Sequence, residues 1–269
     1  GLILPQNISS NTFDSGNTFI MLMLQTGQDI YNEDLYTTDY NSIKTTDIKK
    51  VNLTNFMTQD SIRVFEQWTK FYTVFSFDQT FDAFSRFRTG EMPLVVQPYT
   101  FYNQLSVAAP EIKGLWDFTM VPGTKQADGT INHAANSAGS GAVIFNKVSN
   151  QAAAWDFVKW FTSTDIQVDY GKQIEALMGP MGRFDTANVE ALEQLPWSTA
   201  EYEKISSQQS YLREVPIIPA SYAVTRHINN AFRMVVNDAG NPRYTLMSYN
   251  DQIKSEIVRK YKELSSVKK

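Results

Sequence analysis

Two apolar patterns alternate along this chain of 269 residues, and their alternation limits the folds that it can adopt. Stripes with a period of about 3.6 residues, such as Ile62, Phe65 and Trp68, predict amphipathic helices. Short apolar runs at 92–96 and 142–145 lie between such stripes and predict buried strands. Because strands that alternate with helices are typical of α/β folds, we predict an α/β architecture.

Local signals set the ends of the predicted helices. Gly27 ends the first apolar stripe, and Asp60 is predicted as the N-cap of the helix that carries Trp68. Ser198 and Glu201 match the capping-box pattern, which predicts a helix start at that point. The predicted helices are 18–25, 60–72, 81–90, 98–105, 151–163, 222–236 and 246–264, and the predicted strands are 2–4, 92–96, 118–121 and 142–145.

Two predictions concern burial. The segment 31–55 is polar, with many Thr, Asp and Tyr residues, so we predict a surface excursion or a hairpin there. Helix 151–163, which follows Asn150 as its N-cap, carries Trp155 and Trp160. We predict that Trp155 packs into the core.

Composition excludes several classes of function. A net charge of -4 argues against a nucleic-acid backbone or an anionic membrane surface as the main partner. The absence of cysteine excludes disulfides, thiolate metal sites and cysteine nucleophiles. With only His133 and His227, which are far apart, we expect neither a histidine metal site nor a Ser-His-Asp triad, and we predict no cofactor. No apolar run reaches the roughly 18 residues of a membrane span.

Three stretches of the chain carry a family resemblance. Residues 87–123 read FRTGEMPLVVQPYTFYNQLSVAAPEIKGLWDFTMVPG, and residues 140–171 read SGAVIFNKVSNQAAAWDFVKWFTSTDIQVDYG. The segment 179–188 reads GPMGRFDTAN. Together they resemble the family 1 extracellular solute-binding proteins, in the maltose-binding-protein-like group that binds carbohydrates.

The resemblance implies a fold and a division of the chain. It implies an α/β, periplasmic-binding-protein-like type II fold that is mostly the C-terminal lobe, with a partial excursion into the N-terminal lobe. The expected segments are 1–133 in the C-terminal lobe, 134–171 as hinge crossover and partial N-terminal lobe, and 172–269 in the C-terminal lobe again. The start at Gly1, without Met or signal peptide, is interpreted as a processed or truncated boundary.

The resemblance also implies a function. Members of the family bind a solute outside the cell and deliver it to the transmembrane permease subunits of an ABC importer. For this chain it implies a sugar or oligosaccharide ligand, no catalysis and no catalytic or metal-binding residue. It further implies an extracellular location, with a membrane anchor through a lipidated N-terminus that this chain does not contain.

Sugars present apolar C–H faces ringed by hydroxyls, so their sites combine aromatic platforms with polar side chains. Tyr99 and Tyr102 follow a predicted strand where a cleft would open, and Thr100 could bond hydroxyls. The alternative is that one of the two tyrosines packs under the helix.

Further ligand contacts are predicted from the positions of the resemblance. They are Tyr222 and Arg226 on the helix 222–236, Met181 and Arg183 in a glycine-flanked turn, Ser140 in a small-residue stretch, and Trp197 after a Leu-Pro turn. Each has an alternative: a core tyrosine, a structural arginine, a turn that needs glycine backbone angles, or a buried tryptophan.

Two other functions stay open from the residues alone. A glycoside hydrolase would use a similar aromatic cleft, but it needs two carboxylates across the scissile bond, and none stands in a recognisable catalytic setting. A binding protein for a polyamine would place carboxylates among its aromatics, and the segment 99–104 has none.

Overall fold

The computed structural model describes residues 2–3, 16–137 and 141–267. These residues form two compact units. The smaller unit comprises 84–120 and 138–210, and the larger unit comprises 2–83, 121–137 and 211–269. The expected segment boundaries at 133–134 and 171–172 stay a prediction.

Helices dominate both units. The strands are β1 (Leu2–Ile3), β2 (Leu94–Val95), β3 (Thr124–Lys125), β4 (Ile131–Asn132), β5 (Ala135–Asn136) and β6 (Leu212–Arg213). The helices are α1 (Gly16–Leu24), α2 (Asp34–Thr37), α3 (Gln59–Thr73), α4 (Ala83–Arg88), α5 (Thr100–Ala108), α6 (Gln151–Phe161), α7 (Thr164–Met178), α8 (Val189–Gln194), α9 (Thr199–Gln209), α10 (Ser221–Val236) and α11 (Pro242–Val267). Single 3₁₀ turns span Thr45–Lys50, Pro110–Ile112 and Gly179–Gly182.

The strands pair in short ladders. β3 and β4 are antiparallel, with Thr124 opposite Asn132. β5 and β6 are parallel, with Ala135 opposite Leu212. Both ladders belong to the larger unit, where they lie beside its helical core.

The core of the larger unit is aromatic. Trp68 of α3 is fully buried, and its ring lies 5.7 Å from that of Phe19 on α1 and 4.5 Å from that of Phe232 on α10. α11 packs its apolar stripe on this core through Leu246, Ile253 and Ile257, all fully buried. The helices predicted at 60–72, 222–236 and 246–264 are therefore confirmed, and their apolar faces build this core.

Several local predictions are confirmed. α1 ends beside Gly27, whose φ of 87° places it in the left-handed region that favours glycine. Asn150 caps α6, because its side chain accepts a hydrogen bond from the backbone N–H of Ala153. The capping box of Ser198 and Glu201 at α9 is present in full.

Of the two structures predicted for the segment 31–55, a surface excursion or a hairpin, the surface excursion is wrong. Tyr31, Leu35 and Leu53 are buried in the larger core, and Tyr31 forms an antiparallel bridge with Thr54. The segment folds back as a hairpin would, yet its apolar residues are spaced to point inward between the polar ones.

The predicted N-cap at Asp60 is also wrong. Thr58 caps α3, since its hydroxyl accepts a hydrogen bond from the backbone N–H of Ser61. Asp60 lies in the first turn instead, where it pairs with Arg63 at 3.0 Å and where its charge favours the helix N-terminus.

Three predicted strands differ from the structure. Only Leu94–Val95 of 92–96 is a strand, and Leu94 is 64% exposed rather than buried. Residues 118–121 and 142–145 are not strands, and Phe145 is 80% exposed. A strand needs a hydrogen-bonded neighbour, and no described residue pairs with either segment in a ladder.

The prediction that Trp155 is a core residue is wrong. Trp155 is 56% exposed, and none of the residues of α6 is buried among the described part of the chain. The helix forms as predicted because its cap and propensity are local, whereas the burial of its face depends on a neighbour.

Candidate functional site

The smaller unit contains a cluster of five aromatic rings, which we call the aromatic cluster: Tyr99, Tyr102, Trp116, Phe118 and Trp197. The rings of Tyr99 and Tyr102 are nearly parallel, with centroids 6.1 Å apart. Trp197 lies 5.6 Å from Tyr99 and 5.7 Å from Tyr102. Trp116 and Phe118 each approach Tyr102 edge-on at 5.5 Å.

Local structure brings these rings together. Tyr99 stands just before α5, and Tyr102 lies one turn later, so the two side chains leave the helix start on the same side. Trp197 precedes the capping box of α9, which fixes the direction in which the chain enters that helix. Trp116 and Phe118 come from an extended segment without ladder partners among the described residues.

Arg183 covers the cluster with its guanidinium. That group lies 4.8 Å from the ring centroid of Trp197 and 5.6 Å from that of Tyr102, within the range of cation–π attraction. Its Nε and Nη2 donate to one carboxylate oxygen of Glu175, at 3.1 and 2.7 Å. Nη1 donates to the hydroxyl of Tyr102 at 2.9 Å.

The turn before Arg183 requires its glycines. Gly179 ends α7 with a φ of 63°, which other residues rarely adopt. At Gly182 a Cβ would stand 2.6 Å from the carbonyl oxygen of Ile174, too close to fit. The turn therefore carries the backbone demands that the alternative interpretation expected, and it also delivers Arg183 to the rings.

Glu201 belongs to the capping box of α9 and also bonds a tyrosine of the aromatic cluster. One oxygen accepts hydrogen bonds from the backbone N–H and the hydroxyl of Ser198, and the other accepts from the hydroxyl of Tyr102. Burial by itself would raise the pKa of Glu201, but these hydrogen bonds outweigh it and lower the pKa below its usual value. Burial and the Glu201 contact raise the pKa of Tyr102 to about 12, so its hydroxyl stays protonated.

Several buried polar atoms of the smaller unit have no hydrogen-bond partner among the described residues. They are the hydroxyl of Tyr99, the indole N–H of Trp197, Oδ1 of Asn103 and the side-chain amide of Gln97. A buried polar group without a partner costs about 1–3 kcal/mol. Such groups are what a polar ligand or ordered water satisfies on binding.

A second group of predicted residues lies in the larger unit. Tyr222 is 50% exposed on α10, so it is not the core residue of the alternative interpretation. The guanidinium of Arg226 lies 5.6 Å from the Tyr222 ring and 3.6 Å from Glu256. Glu256 also pairs with Arg259 at 2.5 Å, which makes this an exposed charged network beside one tyrosine.

The structure thus brings together four of the predicted site residues: Tyr99, Tyr102, Arg183 and Trp197. Thr100 and Met181 are exposed in the same unit, on α5 and in the 179–182 turn. Tyr222 and Arg226 belong to the other unit, and Ser140 lies outside the described residues.

Sequence reasoning missed Glu175 and the role of Glu201. The capping box revealed Glu201, but only as a helix residue. Nothing in the sequence links Glu175 to Arg183, because the pair forms only when α7 and the following turn fold back on each other. Trp116 and Phe118 carried no positional signal either.

The described residues lack two features that bear on function. They contain no group of three or more His, Cys, Asp or Glu side chains that could hold a metal ion. None of the helices described is both long and apolar enough to cross a bilayer.

Comparison with known protein families gives a match over much of the chain. The family described as bacterial extracellular solute-binding protein matches residues 8–168, which is more than half of the chain. No curated protein matches the chain in sequence.

Comparison with solved structures gives similar folds at low sequence identity. The sugar-binding protein MalE from Xanthomonas citri aligns with a TM-score of 0.66 and 13% identity, over 98% of this chain and 60% of that one. An ABC transporter solute-binding protein from Thermotoga lettingae, solved with α-D-tagatose, aligns with a TM-score of 0.62 and 15% identity, over 95% of this chain and 60% of that one. The maltose-maltodextrin binding protein of Alicyclobacillus acidocaldarius aligns with a TM-score of 0.54 and 14% identity, over 94% of this chain and 62% of that one.

These comparisons confirm the predicted resemblance and the predicted fold class, an α/β fold of the periplasmic-binding-protein type II. The chain spans about three fifths of the length of each of these structures. The fold is therefore shared over that portion.

Proposed function

Because the chain belongs to the bacterial extracellular solute-binding protein family, we propose that it is the solute-binding part of an ABC importer for a sugar or oligosaccharide. The observation that carries the proposal is the aromatic cluster of the smaller unit, with neutral buried polar atoms beside its rings. Two of the structurally similar proteins are named as sugar-binding or maltose-maltodextrin binding, which supports the same ligand class.

The cluster suits stacking on a sugar. The apolar C–H face of a pyranose packs on an aromatic ring, and the hydroxyls at its rim need planar polar partners. In this arrangement Tyr99, Tyr102 and Trp197 supply the rings. The hydroxyl of Tyr99 and the indole N–H of Trp197 supply donors that protein groups leave unpaired in the described structure. Thr100, Met181, Ser140, Tyr222 and Arg226 stay proposed contacts on the strength of the resemblance.

We further propose that the chain delivers its ligand to a membrane permease. The loaded protein docks on the transmembrane permease subunits of the importer and releases its ligand there. It works outside the cell, held to the membrane through a lipidated N-terminus. The family supports the extracellular location, and the anchor is inferred from the resemblance.

A glycoside hydrolase is the second candidate, and the electrostatics of the cluster disfavour it. A hydrolase needs a carboxyl group with a raised pKa as its general acid. In the cluster the pKa of Glu201 is lowered by hydrogen bonds, and Glu175 is paired with Arg183. Burial raises the pKa of Asp185, whose charge acts on Tyr99, so one carboxyl group has this property of a general acid. A hydrolase also needs a second carboxylate, and Glu201 and Glu175 do not offer one, because both hold other side chains in place. That arrangement suits binding rather than acid–base chemistry.

Binding and cleavage can be measured on the same samples. The 269-residue chain is titrated with malto-, cello- and galacto-oligosaccharides by calorimetry, and the mixtures are then analysed for hydrolysis products. We expect saturable binding without product, and loss of most of that affinity in Trp197→Ala. The matched control is Trp155→Ala, an exposed tryptophan outside the cluster. Cleavage products, or equal affinity for the two variants, would contradict the proposal.

A further inference from the structure

The cations that touch the aromatic cluster are already neutralised by carboxylates of the chain. Nη2 of Arg183 lies 2.7 Å from Oε1 of Glu175, and the two side chains are only 14% and 16% exposed. Lys204, whose Nζ lies 5.3 Å from the Phe118 ring centroid, pairs with Asp117 at 2.5 Å. In the described structure neither cation is left to meet an anionic ligand.

The balance of charge is negative. Glu175, Asp117 and Glu201 face the two cations, and the charge of Asp185 acts on Tyr99, so the carboxylates around the rings outnumber the positive groups by two. Burial alone would lower the pKa of Arg183, but the Glu175 contact outweighs it and raises the pKa. The guanidinium therefore stays charged at neutral pH, and in this structure it is paired with Glu175.

In the smaller unit, the buried side-chain atoms without a hydrogen-bond partner among the described residues all belong to neutral groups. They are the hydroxyl of Tyr99, the indole N–H of Trp197, Oδ1 of Asn103 and the Gln97 amide. Only 8% of the Asn103 surface is exposed, and its Nδ2 donates a hydrogen bond to the backbone carbonyl of Arg183 at 3.0 Å. Neutral donors and acceptors match sugar hydroxyls, and a buried carboxylate would need a charged partner instead.

We propose that the cluster selects neutral glycans over acidic ones, and that Glu175 is the residue that determines this selectivity. Glu175 accepts the Nε and Nη2 hydrogen bonds of Arg183 that the carboxylate of a uronate would otherwise accept. The negative charge of Glu175 also repels that carboxylate. The inference rests on the proposed sugar-binding function and refines its ligand class.

Matched ligands and a matched variant test the proposal. The neutral oligosaccharide that binds most tightly in the malto-, cello- and galacto- series is compared with the same oligosaccharide oxidised at C6 to the uronate. We expect the wild-type chain to bind the neutral form at least about ten-fold more tightly. Glu175→Gln frees the charge of Arg183 while keeping the shape, so it should reduce that preference about ten-fold or reverse it. Glu203→Gln, an exposed glutamate on α9, makes the same charge change and should leave the preference unaltered.

Salt dependence of the wild-type chain provides a second test that needs no variant. If carboxylates repel the uronate, its affinity rises as sodium chloride is raised from about 20 to 200 mM, because screening weakens the repulsion. If Arg183 were available to it, the affinity would fall over the same range. The neutral glycan should be almost insensitive.

The outcomes separate the two proposals. A wild-type chain that prefers the uronate, a uronate affinity that falls with salt, or a Glu175→Gln preference equal to that of Glu203→Gln overturns the selectivity and leaves the sugar-binding function standing. Binding of neither series would reject the proposed function and the selectivity with it.

Discussion

Replacing Tyr102 with phenylalanine removes one oxygen atom and leaves the ring of the aromatic cluster in place. That oxygen has two partners: it donates to Glu201 and accepts from Nη1 of Arg183 at 2.9 Å. The change therefore separates what the ring does from what the hydroxyl does. We expect the hydroxyl to stabilise the fold and the ring to serve the ligand.

The magnitude follows from the two lost hydrogen bonds. Hydrogen bonds to charged groups contribute about 1.5–3 kcal/mol each when fully shielded from water. At the low end the two bonds sum to about 3 kcal/mol. Because Tyr102 and Glu201 are only half-buried, water replaces roughly half of that interaction. The expected loss is about 1–2 kcal/mol in the free energy of unfolding. For a chain of this size that corresponds to a melting temperature lower by about 2–8 °C.

The loss depends on pH with a definite sign. Glu201 has a pKa below its usual 4.5, so its stabilising effect is present above that pH and is lost as the pH falls through the lowered pKa. Tyr102 is one source of that lowering. The difference in stability between wild type and Tyr102→Phe should therefore shrink when the pH is taken from about 6 to below 4.

Urea unfolding at about pH 6 and below pH 4 measures the difference, and calorimetric titration with the bound glycan at neutral pH measures the affinity. We expect the midpoint to fall without a change in slope, and the affinity of Tyr102→Phe to stay within about three-fold of wild type. Tyr102→Ala, which also removes the ring, should lose the affinity. If Tyr102→Phe binds as poorly as Tyr102→Ala, the hydroxyl contacts the ligand and the reasoning fails.

Two other predictions use contrasts that the structure provides. Trp68→Ala should lower the free energy of unfolding by about 3–5 kcal/mol in urea, because the ring is fully buried among aromatics. Trp155→Ala should lower it by less than about 1 kcal/mol, because that ring is exposed, and equal losses would contradict this difference in burial. Tyr222→Ala should change the melting temperature little, since the side chain is half exposed, but should weaken glycan binding in calorimetry if Tyr222 is a stacking residue; unchanged affinity removes it from the proposed contacts.

The helices could be predicted from the sequence because their determinants are local. The Asn150 cap, the Ser198–Glu201 capping box and the stripe of α11 each involve residues within a few positions of one another. Hydrogen bonds in a helix close between residues four apart, so local residue types decide them. The error at Asp60, two residues from the true cap at Thr58, shows the limit: several polar residues near a helix start compete, and backbone angles choose between them.

Tertiary structure decided the strands and the chemistry of the site. Segments 118–121 and 142–145 have the composition of strands, but a ladder needs a neighbour from elsewhere in the chain. Tyr99 and Trp197 could each be proposed from its own surroundings, yet their contact joins residues 98 positions apart. The bond of Arg183 to Glu175, and the sharing of the Tyr102 hydroxyl between Arg183 and Glu201, arise only when separate helices and turns meet in space. Residue type determined which side chains could bind a sugar, and packing determined which of them stand together and which charges remain available.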